Sequence, residues 1–250
     1  MAAGAVFALA VVTSGPAWSQ APRSLGDVLR GSPGQSAPPP VGRYVSDRGP
    51  GFILDRSSST PLLKFDNSDE VWVLQARPAG RGDTVYVNDA GDVVLRATRL
   101  GGLTMFTDER PQGIPVALRG GASPIPTAVN MSMSTFVRRL RDSGERISDL
   151  LPGFQKISFN SDDTAAPLLA EAATITADAI QSAVHDKKTS AVMSIERLVL
   201  RDGPKPSVTL DHGILTVTVT PGMGVAGRPS SEKIAHVIRG GGAGVHMAGH

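Results

Sequence analysis

From Gly51 to Leu118 the apolar residues come in short runs: "GFILD", "PLLKF", "EVWVLQ", "DTVYVN", "DVVLRATR" and "LTMFT". Each run is rich in β-branched or aromatic residues, and Gly, Pro, Asn, Asp or Ser separates it from the next. This pattern predicts strands. The intervals are too short for crossover helices, so neighbouring strands should pair antiparallel.

The period then changes. After a loop over 119–134, Phe136, Leu140, Ile147 and Leu151 fall on one helical face, which predicts a helix from Thr135 to about Leu151. Ser134 is placed to cap it and Pro152 to end it. "QKISFN" reads as a short strand. A second helix is predicted from Ala165 to His185, with Leu168, Ala172, Ile175, Ala179 and Ala183 on one stripe. Asp163 or Thr164 would cap it, and Pro167 is tolerated in its first turn. "MSIERLVLRD", "PSVTL" and "ILTVTVTP" return to strands, the last two forming a hairpin around Asp211-His212-Gly213. "GRPSSEKIAHVI" predicts a final helix capped by Ser230, with Ile234, Val237 and Ile238 inward. The sum is an α+β protein: an antiparallel β-sheet in the N-terminal half, two central helices, then a C-terminal β-hairpin and helix.

The ends differ in character. "AAGAVFALAVV" is a short apolar run, and Ala17 and Ser19 are small residues before a cleavage point at Gln20. This predicts a secretory signal peptide over 1–19, although no Lys or Arg precedes the run. A disordered apolar tail or a membrane-anchored start is the alternative for this stretch. Residues 20–48 are rich in Pro, Gly and Ser and read as a linker, within which "SLGDVLRG" is a candidate contact turn. A single domain is expected over 49–239, followed by a disordered glycine-rich tail over 240–250.

Composition narrows the function. The net charge is only +2 and aromatics make up 4% of the 250 residues. Arg138, Arg139 and Arg141 are interleaved with Asp142 and Glu145, so they read as a solvated helix face rather than a phosphate track. Nucleic acid is not an expected partner. The chain contains no cysteine, which removes thiol catalysis, disulfides and thiolate metal sites.

"VYVNDAGDVVLRA", Val85 to Ala97, resembles a cation loop at first sight. With Gly91 in the glycine slot of an EF-hand, the ligand slots fall on Tyr86, Asn88 and Ala90 and the closing slot on Ala97. Two ligand slots and the closing one fail. A hairpin explains the stretch better. If Asp89-Ala90-Gly91 is a three-residue loop with Gly91 left-handed, Asn88 pairs with Asp92, Val87 with Val93 and Val85 with Leu95. Val85, Val87, Val93, Leu95 and Ala97 then share the inner face, and Thr84, Tyr86, Val94 and Arg96 the outer one. Gly101-Gly102 permits a second tight hairpin. Tyr86, Arg96 and Thr98 form the candidate binding face, against the plainer reading of paired or solvated arginines.

Other motifs carry little chemistry. Ser230-x-x-Lys233 has the spacing of penicillin-binding nucleophiles but lacks the companion elements, so a helix cap is the better reading. Arg81-Gly82-Asp83 precedes a strand and carries no functional weight. No Asp-Thr-Gly, Gly-x-Ser-x-Gly, Walker loop or His-Glu-x-x-His occurs. Among the five histidines only His246 and His250 are four apart, in the glycine-rich tail. No metal or cofactor site is expected. Asp55, Asp66, Asp69, Glu70 and Asp83 are carboxylates that a fold could bring into a catalytic pair.

The blocks "GFILDRSSSTPLLKFD", "RGDTVYVNDAGDVVLRATRLGGLTMFT", "RPQG" and "GRPSS" resemble those of a bacterial family defined by a domain of unknown function. The resemblance covers Gly49 to about Ile238. It implies an exported protein and transfers no catalytic residue. The expectation is a periplasmic or secreted envelope protein without a stable transmembrane span. It would act as a non-enzymatic binding or structural module, with an envelope protein or polymer as partner. The alternative is an envelope hydrolase built on fold-assembled carboxylates.

Overall fold

The computed structural model describes residues 37–126, 131–160, 163–185 and 190–240. The signal-peptide stretch, "SLGDVLRG" and the tail from residue 241, with His246 and His250, lie outside the described residues.

The alternating runs become β2 (Phe52–Asp55), β3 (Leu62–Phe65), β6 (Thr84–Val87), β7 (Val93–Ala97) and β8 (Leu103–Thr107). "EVWVLQ" is not one strand. It divides at Leu74 into β4 (Val71–Val73) and the start of β5 (Gln75–Pro78). Two strands were hidden by composition. β1 (Gly42–Val45) lies inside the stretch read as linker, so the ordered chain starts before Gly49. Gly42 suits its place, because a Cβ there would sit 2.5 Å from the Gly120 carbonyl oxygen. β9 (Arg110–Gly120) contains Pro111 and Pro115, which mask a strand in a sequence reading.

These strands form one antiparallel, nine-stranded sheet in the order β4-β3-β2-β1-β9-β8-β7-β6-β5. The long β9 pairs with β8 through its first half and with β1 through its second. The sheet thereby rolls into a nearly closed barrel. Its two end strands are consecutive in the chain, joined by the fully buried Leu74, yet no ladder links them. Inside, Tyr44 stacks on Phe52 at 5.3 Å, and Phe65 meets Trp72 edge-on at 5.5 Å. Leu54, Leu63, Leu95 and Met105 complete the buried core, each contributing roughly 1.5–3 kcal/mol by burial.

The second half builds its own core. α1 (Met133–Leu150) is capped by Ser132 rather than Ser134, through a hydrogen bond from the Thr135 N–H. It buries Phe136, Leu140 and Ile147 as its period predicts. α2 (Ala166–His185) buries a broad face of mostly alanines, which allows α1 and α4 (Ser231–Ile238) to approach closely. A one-turn α3 (Ser190–Met193) precedes the sheet strands β11 (Arg197–Asp202), β12 (Ser207–Asp211) and β13 (Ile214–Val219). The β12–β13 hairpin forms as expected, with His212 and Gly213 at positive φ in a two-residue turn. The expected antiparallel hairpin is nevertheless part of something larger. "QKISFN" supplies β10 (Lys156–Asn160), and the sheet order is β10-β11-β13-β12. β10, β11 and β13 run parallel, with α2 on the β10-to-β11 crossover. The protein is therefore mixed α and β, with a near-barrel beside a helix-packed mixed sheet.

Candidate functional site

The open seam of the barrel holds a cleft of about 480 Å³, within the usual range for small-molecule sites. It forms because β4 and β5 part at Leu74 and the β2–β3 turn stands across the gap. Asp55 shapes that turn: its Oδ1 accepts from the Ser57 N–H at 2.9 Å and the Ser57 hydroxyl at 2.6 Å. The turn displays Arg56 at its centre. One Arg56 nitrogen donates to the Pro39 carbonyl at 2.7 Å, and Tyr44 Oη donates to the Pro40 carbonyl at 2.7 Å. These two bonds tie the entering chain over the end of the barrel. Arg56, Ser58, Thr60, Gln75 and Tyr86 line the cleft, with Pro61 and Leu74 as apolar wall. Burial raises the Tyr44 and Tyr86 phenols above their ordinary range, and the Arg56 charge opposes this in both. Among the described residues no carboxylate lines the cleft and Arg56 has no ion-pair partner.

Tyr86 reaches this cleft because one detail of the β6–β7 register differs from expectation. Val87 pairs with Val93, and Asn88 N–H donates to the Asp92 carbonyl at 3.0 Å, as the three-residue loop requires. Gly91 has φ +98°. A bulge then follows, and Tyr86 pairs with Leu95 and Val85 with Arg96. An unpaired residue reverses the faces beyond it. Tyr86 turns inward at 2% exposure with Leu95 and Ala97, while Val93 stands outside. The expectation of Tyr86 beside Arg96 and Thr98 on one outer face is corrected. Arg96 is outside, bound to Asp83 at 2.8 Å through Nε. Thr98 closes the next hairpin, its N–H donating to the Gly102 carbonyl at 2.8 Å. Of the three residues, the structure places only Tyr86 at the cleft.

The five candidate carboxylates are dispersed. Asp55 also accepts from the Ile125 N–H at 2.8 Å. Burial would raise its pKa, but the bonds from Ser57 and Ile125 prevail and lower it. Asp66 pairs with Arg43 at 2.8 Å and Asp69 with Lys64 at 3.4 Å, both on the surface. Asp83, the third residue of Arg-Gly-Asp, is held by Arg96 and the Arg99 N–H, and these bonds lower its pKa. Only Glu70 meets other acids.

That meeting occurs where the barrel touches α4. Glu70 accepts from the Ser231 N–H at 2.9 Å and the Ser231 hydroxyl at 2.5 Å. Asp89 accepts from the Ser230 N–H at 2.9 Å and from the Ser230 hydroxyl. The two acids satisfy helix-terminal donors that would otherwise be orphaned. Beneath them Arg228, almost wholly buried, binds Glu171 at 2.9 Å and the Val71 carbonyl at 3.1 Å, and stands 3.7 Å from Glu70. Burial nonetheless pushes Glu70 up, against the Ser231 bonds and the Arg228 charge. Glu232, in the first turn of α4, is pushed up to about 7 by burial and then by Asp108, with Asp92 and Glu70 adding and Arg239 opposing. Ser230 also accepts from the Lys233 N–H at 3.1 Å, so its hydroxyl is fully used as the expected cap. This cluster was invisible in the sequence, since its halves lie 141 and 161 positions apart.

A second concavity of about 550 Å³ runs between α1 and the edge strand β10, with Val137 and Phe159 exposed beside it. Among the described residues no cluster of three His, Asp or Glu side chains could hold a metal, and no helix is long and apolar enough to cross a membrane.

Residues 24–238 match the model of a family described as a domain of unknown function, DUF4908. The match begins well before Gly49, where the resemblance read from the sequence began. No curated protein and no solved structure matches the chain.

Proposed function

The chain belongs to the DUF4908 family, a domain of unknown function, and from that premise we propose that it is an exported cell-envelope protein, periplasmic or secreted, acting as a non-enzymatic binding module. The observation that carries this reading is the seam cleft: a concave site whose described lining offers one guanidinium beside several hydroxyl groups and an amide, a set suited to holding a polar ligand. Export rests on the small-residue cleavage pattern before Gln20. Fractionation with N-terminal sequencing tests it. A mature chain starting at Gln20 outside the cytosol is expected, and a cytosolic chain retaining Met1 would overturn it. In-cell crosslinking with mass spectrometry tests the binding role, with a reproducible envelope protein or polymer adduct as the expected result.

One observation favours the hydrolase alternative. Glu232, poised near pH 7 among Asp108, Asp92 and Glu70, has the titration of a general acid. Loss of a measured hydrolysis of envelope polymer in Glu232→Gln would support that reading over binding alone.

A further inference from the structure

The polar groups of the seam cleft are not arranged at random. Arg56 is fixed through one nitrogen on Pro39, which leaves its remaining N–H groups to the cleft it lines. Gln75 accepts from Arg77 at 3.1 Å through Oε1, so its amide nitrogen remains as donor. Ser58 spends its proton on the Thr60 carbonyl at 2.8 Å and keeps its lone pairs as acceptor. The phenol-bearing Tyr86 also lines the cleft. The cleft thus offers one fixed cation, then separate donors and acceptors, then a short apolar surface from Pro61 and Leu74.

We propose that the seam cleft binds a sugar acid, that is, a ring bearing one carboxylate and several hydroxyls, with the carboxylate on Arg56. A guanidinium matches a carboxylate with two parallel N–H donors. The hydroxyls match Ser58 and Gln75, and the C–H face of the ring matches the apolar wall. A neutral sugar would leave the guanidinium without a counter-charge, and an aromatic acid would leave Ser58 and Gln75 unmatched; both are disfavoured for the same reason. This inference rests on the binding reading above and adds the chemical class of the ligand.

The test is isothermal titration of the full chain with glucuronate, glucose and benzoate. Glucuronate should bind at least about tenfold more tightly than either comparison, the worth of one charge-assisted hydrogen bond. Arg56→Gln should remove that preference, and Arg56→Lys should restore part of it, since the charge returns without the fork. Gln75→Ala, on an exposed strand, should weaken glucuronate several-fold without disturbing the fold, and circular dichroism on each variant confirms this. Equal binding of glucuronate and glucose would overturn the proposal, as would equal binding of benzoate, absence of glucuronate binding, or a folded Arg56→Gln that keeps the preference. Failure here with a reproducible crosslinked partner would leave the binding module standing and remove only the ligand class. Failure of both would remove both.

Discussion

Asp89, at the tip of the β6–β7 hairpin, accepts the backbone N–H and the hydroxyl of Ser230, the N-cap of α4. A hairpin loop from the barrel thereby holds the positive end of a helix in the other core. Asp89→Ala should cost about 1.5–3 kcal/mol, the range for a charged hydrogen-bonding partner, in urea unfolding. Asp92→Ala is the contrast. The Asp92 carboxylate receives only a 3.2 Å bond from the Asn88 side-chain amide, so its removal should cost clearly less. In a cycle with Ser230→Ala the two changes should be non-additive; additive losses would mean that the contact contributes nothing in solution.

Much of the fold was legible and this contact was not, for a physical reason. Alternation, turn glycines and caps are local, so β6 to β8, the helical faces of α1 and α2 and the Ser230 cap could be read directly. β1 and β9 were hidden because Gly and Pro look like loop residues unless a neighbouring backbone explains them. The bulge that turns Tyr86 inward is decided by the closing barrel, not by its own residues. The cleft carries no motif, since Arg56, Gln75 and Tyr86 come from three strands or turns. What could have pointed to it is Asp55-Arg56-Ser57, an Asx-turn pattern that displays its central residue.

Glu232 makes the stability depend on pH. Its carboxyl titrates near 4.5 when unconstrained and about 7 in the folded chain. A raised acid pKa means that the folded state holds the proton more tightly. The contribution is therefore complete below about 4.5 and lost as pH rises through about 7. The groups facing it are Asp108, Asp92, Glu70 and Arg239. Wild-type unfolding free energy should decline between these limits, and Glu232→Gln should flatten that decline. A slope unchanged by the substitution would exclude Glu232 as its source. At the acid end Asp55 acts oppositely: its stabilisation is present above 3.8 and fades as pH falls through its lowered folded value.

Arg228 joins elements from both cores, touching Val71 and Glu70 on the barrel side and Glu171 on α2. Arg228→Met leaves Glu70 buried without its cation, and such a broken pair should cost about 3–5 kcal/mol. Adding Glu70→Gln removes the stranded charge and should recover part of the loss. Urea midpoints of the single and double variants check this. If the double variant is weaker than Arg228→Met, the buried charge is not what the arginine offsets.

Gly91 tests the three-residue loop that closes the β6–β7 hairpin. Its φ of +98° lies where a side chain is strained, and a Cβ there would meet nothing within 4 Å. The cost of substitution is therefore backbone strain and not a clash. Gly91→Val should lose about 1–2 kcal/mol, because a β-branched residue resists the left-handed region. Gly91→Asn should lose less, since asparagine adopts that region more readily. The comparison separates strain from the mere presence of a side chain. Because Asp89 sits two residues earlier and holds Ser230, a distorted loop should also lengthen that contact. Amide exchange at Ser230 should accordingly speed up in Gly91→Val and stay near wild type in Gly91→Asn. Equal stability of all three proteins would show that the loop does not require its left-handed residue.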